Sequence, residues 1–372
     1  VTEGVSVSGR SASPVGRLAG PQLPSPCGPL SEAVIERLRA GAGALPPAWD
    51  GAADADPADA DPYGLDLQLA LYVLYELHYR GFAGVADEEE WDPGLLAVRR
   101  GLEQRFLGAL RKDVGTDVGT DVGTDGGGAG GEAGGAQAAV GGLLVEPAGD
   151  DGTSVSHFLR HEGQLWQLRE YAALRSLYHL KEADPHAWAL PRLHGRAKAG
   201  MAAIEFDEFG AGRAEEIHAQ LFADLMADLG LDTAYGRYTD QAPAEALATV
   251  NLMSLLGLHR SLRGALVGHF ATVEVTSSPA SRRLAQAMRR TGAGPAAERF
   301  YDEHVEADAV HEQVVRREVV DGLLGDEPGL DADVAFGIGA TLFLEDRLSA
   351  HLLGAWRAQR SALRSPLPDR EP

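Results

Sequence analysis

The sequence predicts an all-α protein, an up-and-down helical bundle, and two observations carry that prediction. From Ser154 onward apolar residues recur at steps of three and four almost without a break, punctuated only by Pro185, Gly210, Gly212, Pro243, Pro279, Pro295 and Pro328. No convincing strand is present, and the connections between periodic segments are short enough to make neighbouring helices antiparallel.

Taken in chain order, residues 1–62 read as a disordered tail and linker. The first thirty are rich in Ser, Gly and Pro, and the Ala-Asp-Pro run from Asp50 to Pro62 has no hydrophobic period. Leu65 to Phe82 (LDLQLALYVLYELHYRGF) is dense in helix formers, and Leu95 to Leu110 reads as a second helix after Pro93. Residues 63–112 are therefore an extra N-terminal helical hairpin packed on the core. Asp113 to Thr124 then repeats Asp-Val-Gly-Thr three times and runs into a Gly-rich stretch to Gly142, so 113–150 reads as a disordered insertion. Four-residue units match neither the calcium-loop spacing nor the nonapeptide repeat. The main domain is expected over 151–360, with helices at 156–183, 186–208, 213–229, 243–257, 259–277, 279–291, 296–324 and 330–359. Residues 361–372 close the chain as a disordered tail.

Composition narrows the function. A hydrophobic share of 44% in 372 residues supports a real core, and a formal charge of -22 disfavours nucleic acid or an anionic membrane as partner. No run of 18 apolar residues exists and the N-terminal segment has no apolar signal core, so the expected protein is soluble and cytoplasmic. Cys27 is the single cysteine, which removes intramolecular disulfides, cysteine-held zinc and iron–sulfur clusters. A metal here has to be held by His, Asp and Glu.

The segment Tyr301 to His311 offers those ligand types. His304, Asp308 and His311 stand at i, i+4 and i+7, within an arc of roughly 60° on a helix, and Tyr301, Val305, Val315 and Val319 lie on or beside that arc. Asp302, Glu303, Glu306, Gln313 and Arg317 take the opposite face. Two imidazoles and a carboxylate facing a core are costly unless something satisfies them. A bound cation does so; a hydrogen-bonded His-Asp-His ladder is the structural alternative.

Other candidates follow the same logic. Glu274 is the only acid between Glu245 and Glu298 and follows Leu266 and Phe270 at steps of four, so it lies on an apolar stripe and needs a cation or an arginine. His218 leads Leu221, Phe222, Leu225 and Leu229 on a buried face, from which Glu215, Glu216, Asp224 and Asp228 point away. Upstream, Glu205, Asp207 and Glu208 precede Phe209-Gly210-Ala211-Gly212, where a break can turn a carboxylate inward, and periodicity does not choose among the three. Glu182 closes the helix from 156, inward-facing or simply exposed. Three imidazoles and at least three carboxylates exceed what one metal needs, and in a bundle such a set favours a pair of iron or manganese ions.

From about Ser154 to Trp356 the chain resembles the haem-oxygenase-like di-iron oxidases and oxygenases, the iron-containing redox enzymes. His304, Asp308 and His311 match that family's His-x3-Asp-x2-His helix, and Glu274 its lone glutamate thirty residues earlier. Glu208 and His218 match the pair that flanks its Phe-Gly-x-Gly break. Glu182, within Tyr178-His179-Leu180-Lys181-Glu182-Ala183-Asp184-Pro185-His186, matches the glutamate ending its first core helix. The resemblance implies a haem-oxygenase-like fold of about seven core helices, Glu182, Glu208, His218, Glu274, His304, Asp308 and His311 as ligands of two Fe(II) ions per chain, and O2 as co-substrate. It further implies a small amine- or carboxylate-bearing substrate, reactions such as N-oxygenation, oxidative decarboxylation or C–C cleavage, and an unidentified electron donor; a homodimer is compatible with it.

Two rival readings stand beside this one. A haem-binding or haem-degrading protein on the same fold needs a proximal histidine, for which His179 or His78 are available. A non-catalytic iron-binding bundle needs no substrate at all. Arg175, Arg263, Arg282 and Arg283 are candidates for holding a substrate carboxylate, and Tyr171, Tyr178 and Tyr301 for lining a cavity.

Overall fold

The computed structural model describes residues 20–41, 60–114, 135–145 and 152–367. Among these there is no strand, and the chain forms an all-α, haem-oxygenase-like bundle. Its helices are α1 (Pro29–Ala40), α2 (Leu65–Glu76), α3 (Pro93–Asp113), α4 (Gly135–Leu143), α5 (Val155–His161), α6 (Leu165–His179), α7 (Asp184–Ala187) and α8 (Gly195–Glu208). They continue as α9 (His218–Asp228), α10 (Ala244–Leu258), α11 (Arg263–Thr291), α12 (Pro295–Val314), α13 (Asp321–Asp326) and α14 (Asp331–Arg357). None is long and apolar enough to cross a membrane.

The centre is α11, packed between α12 and α14. Its crossing with α14 is a backbone contact: a Cβ at Gly268 would sit 2.0 Å from the Val334 carbonyl oxygen, and one at Gly337 2.0 Å from that of Ala265. Only glycine permits that approach. Local signals start several helices. Pro93 opens α3 while the Asp92 carboxylate accepts from the Leu95 N–H at 2.9 Å, and the Ser154 hydroxyl accepts from the His157 N–H at the start of α5.

Several sequence expectations change. The helices expected at 259–277 and 279–291 are the single α11, which runs through Pro279. The lost backbone bond there is tolerated because both faces of the helix are packed. Conversely, 156–183 divides into α5 and α6, 186–208 into α7 and α8, and the segment after α12 continues through a π-helical turn, Val315–Val320, into α13. That turn keeps Val315, Val319 and Val320 all buried.

The parts read as disordered also contain structure. Within 1–62, α1 buries Leu30, Val34, Ile35 and Leu38, and Asp66 on α2 accepts from the Leu30 and Ser31 N–H groups at 2.9 and 2.7 Å. A cap supplied from another helix leaves no local sequence signal. Within 113–150, α4 buries Ala136, Ala139 and Val140 against α11 and α14; its small side chains permit close packing that composition hides. Most of the Asp-Val-Gly-Thr repeat lies outside the described residues. In the C-terminal tail, Ala362 and Leu363 are buried and the Arg364 N–H donates to the Gln241 carbonyl at 2.9 Å. Of the expected hairpin, α2 does pack on α3, but it lies against α1 and α10 as well and is buried nearly all round.

Candidate metal centre

All seven ligand candidates are buried and converge. Their ligand atoms form two triads, Glu182 with His218 and His304, and Glu208 with Glu274 and His311, each within 4.8 Å. Glu182 comes from the turn after α6, Glu208 from the end of α8, His218 from the first turn of α9, and Glu274 from the middle of α11. The remaining three come from α12. Glu208 spans the triads: its Oε2 is 2.7 Å from His218 Nδ1 and its Oε1 3.6 Å from His311 Nδ1. Asp308 stands outside both, with Oδ1 3.8 Å from His311 Nδ1 and Oδ2 accepting from the Ser277 hydroxyl at 2.6 Å.

The imidazoles are oriented by what surrounds them. His304 donates from Nδ1 to the Phe300 carbonyl at 2.7 Å, which points Nε2 into the gap, buried, without a hydrogen-bond partner and 3.8 Å from Glu182. His311 turns Nδ1 to Glu274 at 3.2 Å and Nε2 to the half-exposed carboxylate of Asp207, also at 3.2 Å. Glu182 Oε1 accepts from His179 Nδ1 at 2.8 Å while its Oε2 has no partner, and His218 Nδ1 is likewise unpartnered because Glu208 approaches it off the line of a hydrogen bond. Buried polar atoms left open on both sides of one gap are what a cation-binding site requires. The residues fit a metal pair.

The charges agree. Burial disfavours a charged His304, but the Glu182, Asp308 and Glu208 carboxylates outweigh it and lift the imidazole to about 10. His311 is likewise raised against burial, to about 9, by Glu274, Glu208 and Asp207. Burial and the neighbouring Glu208 and Asp308 charges push Glu274 up to about 7. With no other cation present, protons answer the field of the carboxylates; metal binding would displace them.

Two acids were not singled out by periodicity. Glu205, one turn before Glu208, is 2% exposed with both oxygens unpartnered, and burial together with Glu208, Glu274 and Asp184 raises it to about 9. Glu205 and Glu208, three apart on α8, thus share its buried face with Met201 and Ile204, while Asp207 stays outside and touches His311. Glu215 stands three residues before His218, the spacing of carboxylate–histidine pairs in di-iron bundles. It lies on the exposed 3₁₀ turn that precedes α9, so it is a candidate on spacing alone.

A cavity of about 350 Å³ opens onto the centre, and Glu182, Glu208, Glu274, His304 and Asp308 line one end of it. Tyr171, Tyr178 and Tyr301 line it too, as do His186 and His269. Of the arginines, Arg175 reaches the cavity but is held by both oxygens of Glu345 at 2.8 and 2.6 Å. Arg283 lines it and donates to the Ser156 hydroxyl at 2.9 Å, whereas Arg263 pairs with Glu327 and Arg282 faces solvent. Neither histidine named for the haem reading is open: His179 is bonded to Glu182, and His78 is held by Glu90 and Arg99.

A nitrosourea synthase from Streptomyces achromogenes subsp. streptozoticus is 24% identical over 145 residues, 39% of this chain and 31% of that protein. The chain thus matches about a third of the length of that relative. Residues 169–346, which include every candidate ligand, match the family described as iron-containing redox enzyme. Over the helical region that carries both triads, the chain is thus similar to the iron-containing redox enzymes.

Proposed function

We propose that the two triads hold a pair of iron ions and that the protein is an O2-dependent non-haem oxidoreductase acting on a small metabolite. One observation carries this reading: six buried ligand atoms sort into two triads spanned by Glu208, with His304 Nε2 left open by its own hydrogen bond to Phe300. Iron, when bound, supplies the one-electron chemistry that O2 requires. The protein supplies the rest. Glu182, Glu208, Glu274 and Asp308 offset the charge of two divalent ions, Phe300 and Asp207 fix His304 and His311, and burial keeps bulk water from the centre.

The substrate binds in the adjoining cavity, against Met253, Phe270, Leu284 and Leu342, with the metal end polar. Its volume suits a small molecule bearing an amine or carboxylate. Similarity to a nitrosourea synthase favours oxidation at nitrogen over decarboxylation or C–C cleavage. The reading includes a cytoplasmic setting, a separate electron donor, and no nucleic-acid or membrane partner, in keeping with the formal charge of -22.

Anaerobic Fe(II) titration followed by O2 uptake tests it. The wild-type chain is expected to take up two irons and then consume O2, and His304→Ala and Asp308→Ala each to lose iron. If both variants hold as much iron as the wild type, the proposal fails.

A further inference from the structure

Next to Glu182 lies a buried ion pair that the proposed reaction does not use. Lys181 and Glu76 are fully buried and their Nζ and Oε1 atoms are in direct contact. The other Glu76 oxygen accepts from the Tyr235 hydroxyl at 2.5 Å, and the Lys181 ammonium sits over the Tyr79 ring, 4.1 Å from its centre. One turn on, Arg80 donates to the Leu180 carbonyl at 2.8 Å while stacked on Tyr235 at 4.1 Å. Two consecutive residues, Leu180 and Lys181, are thus gripped by the end of α2 and the turn that follows it.

The gripped segment is not a helix. Between α6 and α7 the chain turns through Ala183 at φ 73°, which a non-glycine residue keeps only when its surroundings impose it. From the other side α10 presses on it, so closely that a Cβ at Gly257 would lie 2.6 Å from the Pro185 carbonyl oxygen. Glu182 is the residue between the grip and the strained position. Its direction is set by neither helix periodicity nor a cap.

We infer that Glu76 and Arg80 are positioning residues for the metal centre: by holding Lys181 and Leu180 they fix the turn from which Glu182 faces His218 and His304. A buried ion pair suits this role because moving either partner strands an unpaired charge in the core, so the turn has one low-energy place. Both residues lie outside the 169–346 region shared with the family, so this chain's N-terminal segment completes the layer behind one ligand. The inference rests on the two-triad reading of the centre.

The test uses the full chain with Glu76→Gln and Arg80→Met, and Glu182→Ala as reference. Arg80 is exposed, so its variant keeps a folded bundle even if Glu76→Gln does not. In anaerobic Fe(II) and Co(II) titrations the wild type takes up two ions. Each folded positioning variant is expected to weaken one of the two positions by about 10–100-fold and leave the other unchanged, as Glu182→Ala does more severely. In the metal-free protein, amide hydrogen exchange over residues 180–187 should quicken in both variants while α11 and α12 keep their protection, a readout independent of metal. A wild-type chain that takes up no ion sinks the reading of the centre and this inference with it. A wild-type chain and folded variants that bind two ions equally well, with unchanged exchange over 180–187, sink the inference alone.

Discussion

His186 and His269 show how burial sets the behaviour of single residues. His269 Nδ1 bonds to Thr341 Oγ1 at 2.8 Å, and since that hydroxyl donates to the Gly337 carbonyl it has to accept from the ring. His269 Nε2 is then an acceptor for His186 Nε2–H at 3.1 Å, so both rings are neutral. Burial lowers His269 to about 4 and His186 well below its usual value, the second also by the neighbouring ring. The unfolded chain therefore binds protons below about pH 6.5 that the folded one refuses, and stability falls as pH drops from there toward 4. His269 alone accounts for about 3 kcal/mol over that window. In His269→Gln, melting temperature is expected to fall less steeply between pH 6.5 and 4 than in the wild type; an unchanged slope would show that the ring is not held neutral. Such a pair had no signature in the sequence, because its partners come from α7, α11 and α14. His304, Asp308 and His311 did, because i, i+4 and i+7 on one helix fix relative direction locally.

Individual helices were legible in proportion to how local their causes are. Proline and glycine punctuation and apolar periods located α3, α9, α10 and the start of α12, and the apolar stripe through Leu266, Phe270 and Glu274 identified the inward face of α11. The length of α11 was not legible, since Pro279 is a local stop signal and only packing against α12 and α14 overrides it. Nor was the closeness of α11 and α14. Gly337→Ala forces a methyl group against the Ala265 carbonyl, and overpacking of this kind costs about 3 kcal/mol. Chemical denaturation should register that loss together with weaker metal binding, because α11 carries Glu274. Gly354→Ala on the same helix, where a Cβ meets nothing within 4 Å, is the control and should be neutral.

At the scale of the whole molecule, the segment preceding the family-matched region is part of the core. Leu67, Leu69, Leu71, Val73 and Leu74 of α2 are all buried, and α10, against which they pack, is buried through most of its length. A chain beginning at residue 151 would expose that face and strand Lys181 without Glu76. It is expected to aggregate or to melt far below the full chain in a calorimetric scan; a cooperative transition at the full-chain temperature would show instead that 151–360 folds alone.

The sequence by itself determined the all-α class, the inward faces of α9, α11 and α12, and the presence of several buried imidazoles and carboxylates on those faces. These follow from helix periodicity and from the cost of burying unpaired polar groups, and both can be read from neighbours in the chain. Periodicity left Glu182 open and the family resemblance implied it; the tertiary structure decided that the candidate ligands sort into two triads, that Glu208 spans them, that Glu205 is buried beside it, and by what turn Glu182 faces the centre. Each of those depends on where one helix end meets another. Glu182 stands beyond the end of α6, in a turn whose direction comes from Glu76 and Arg80 about a hundred residues earlier, and no local pattern can encode a contact at that separation.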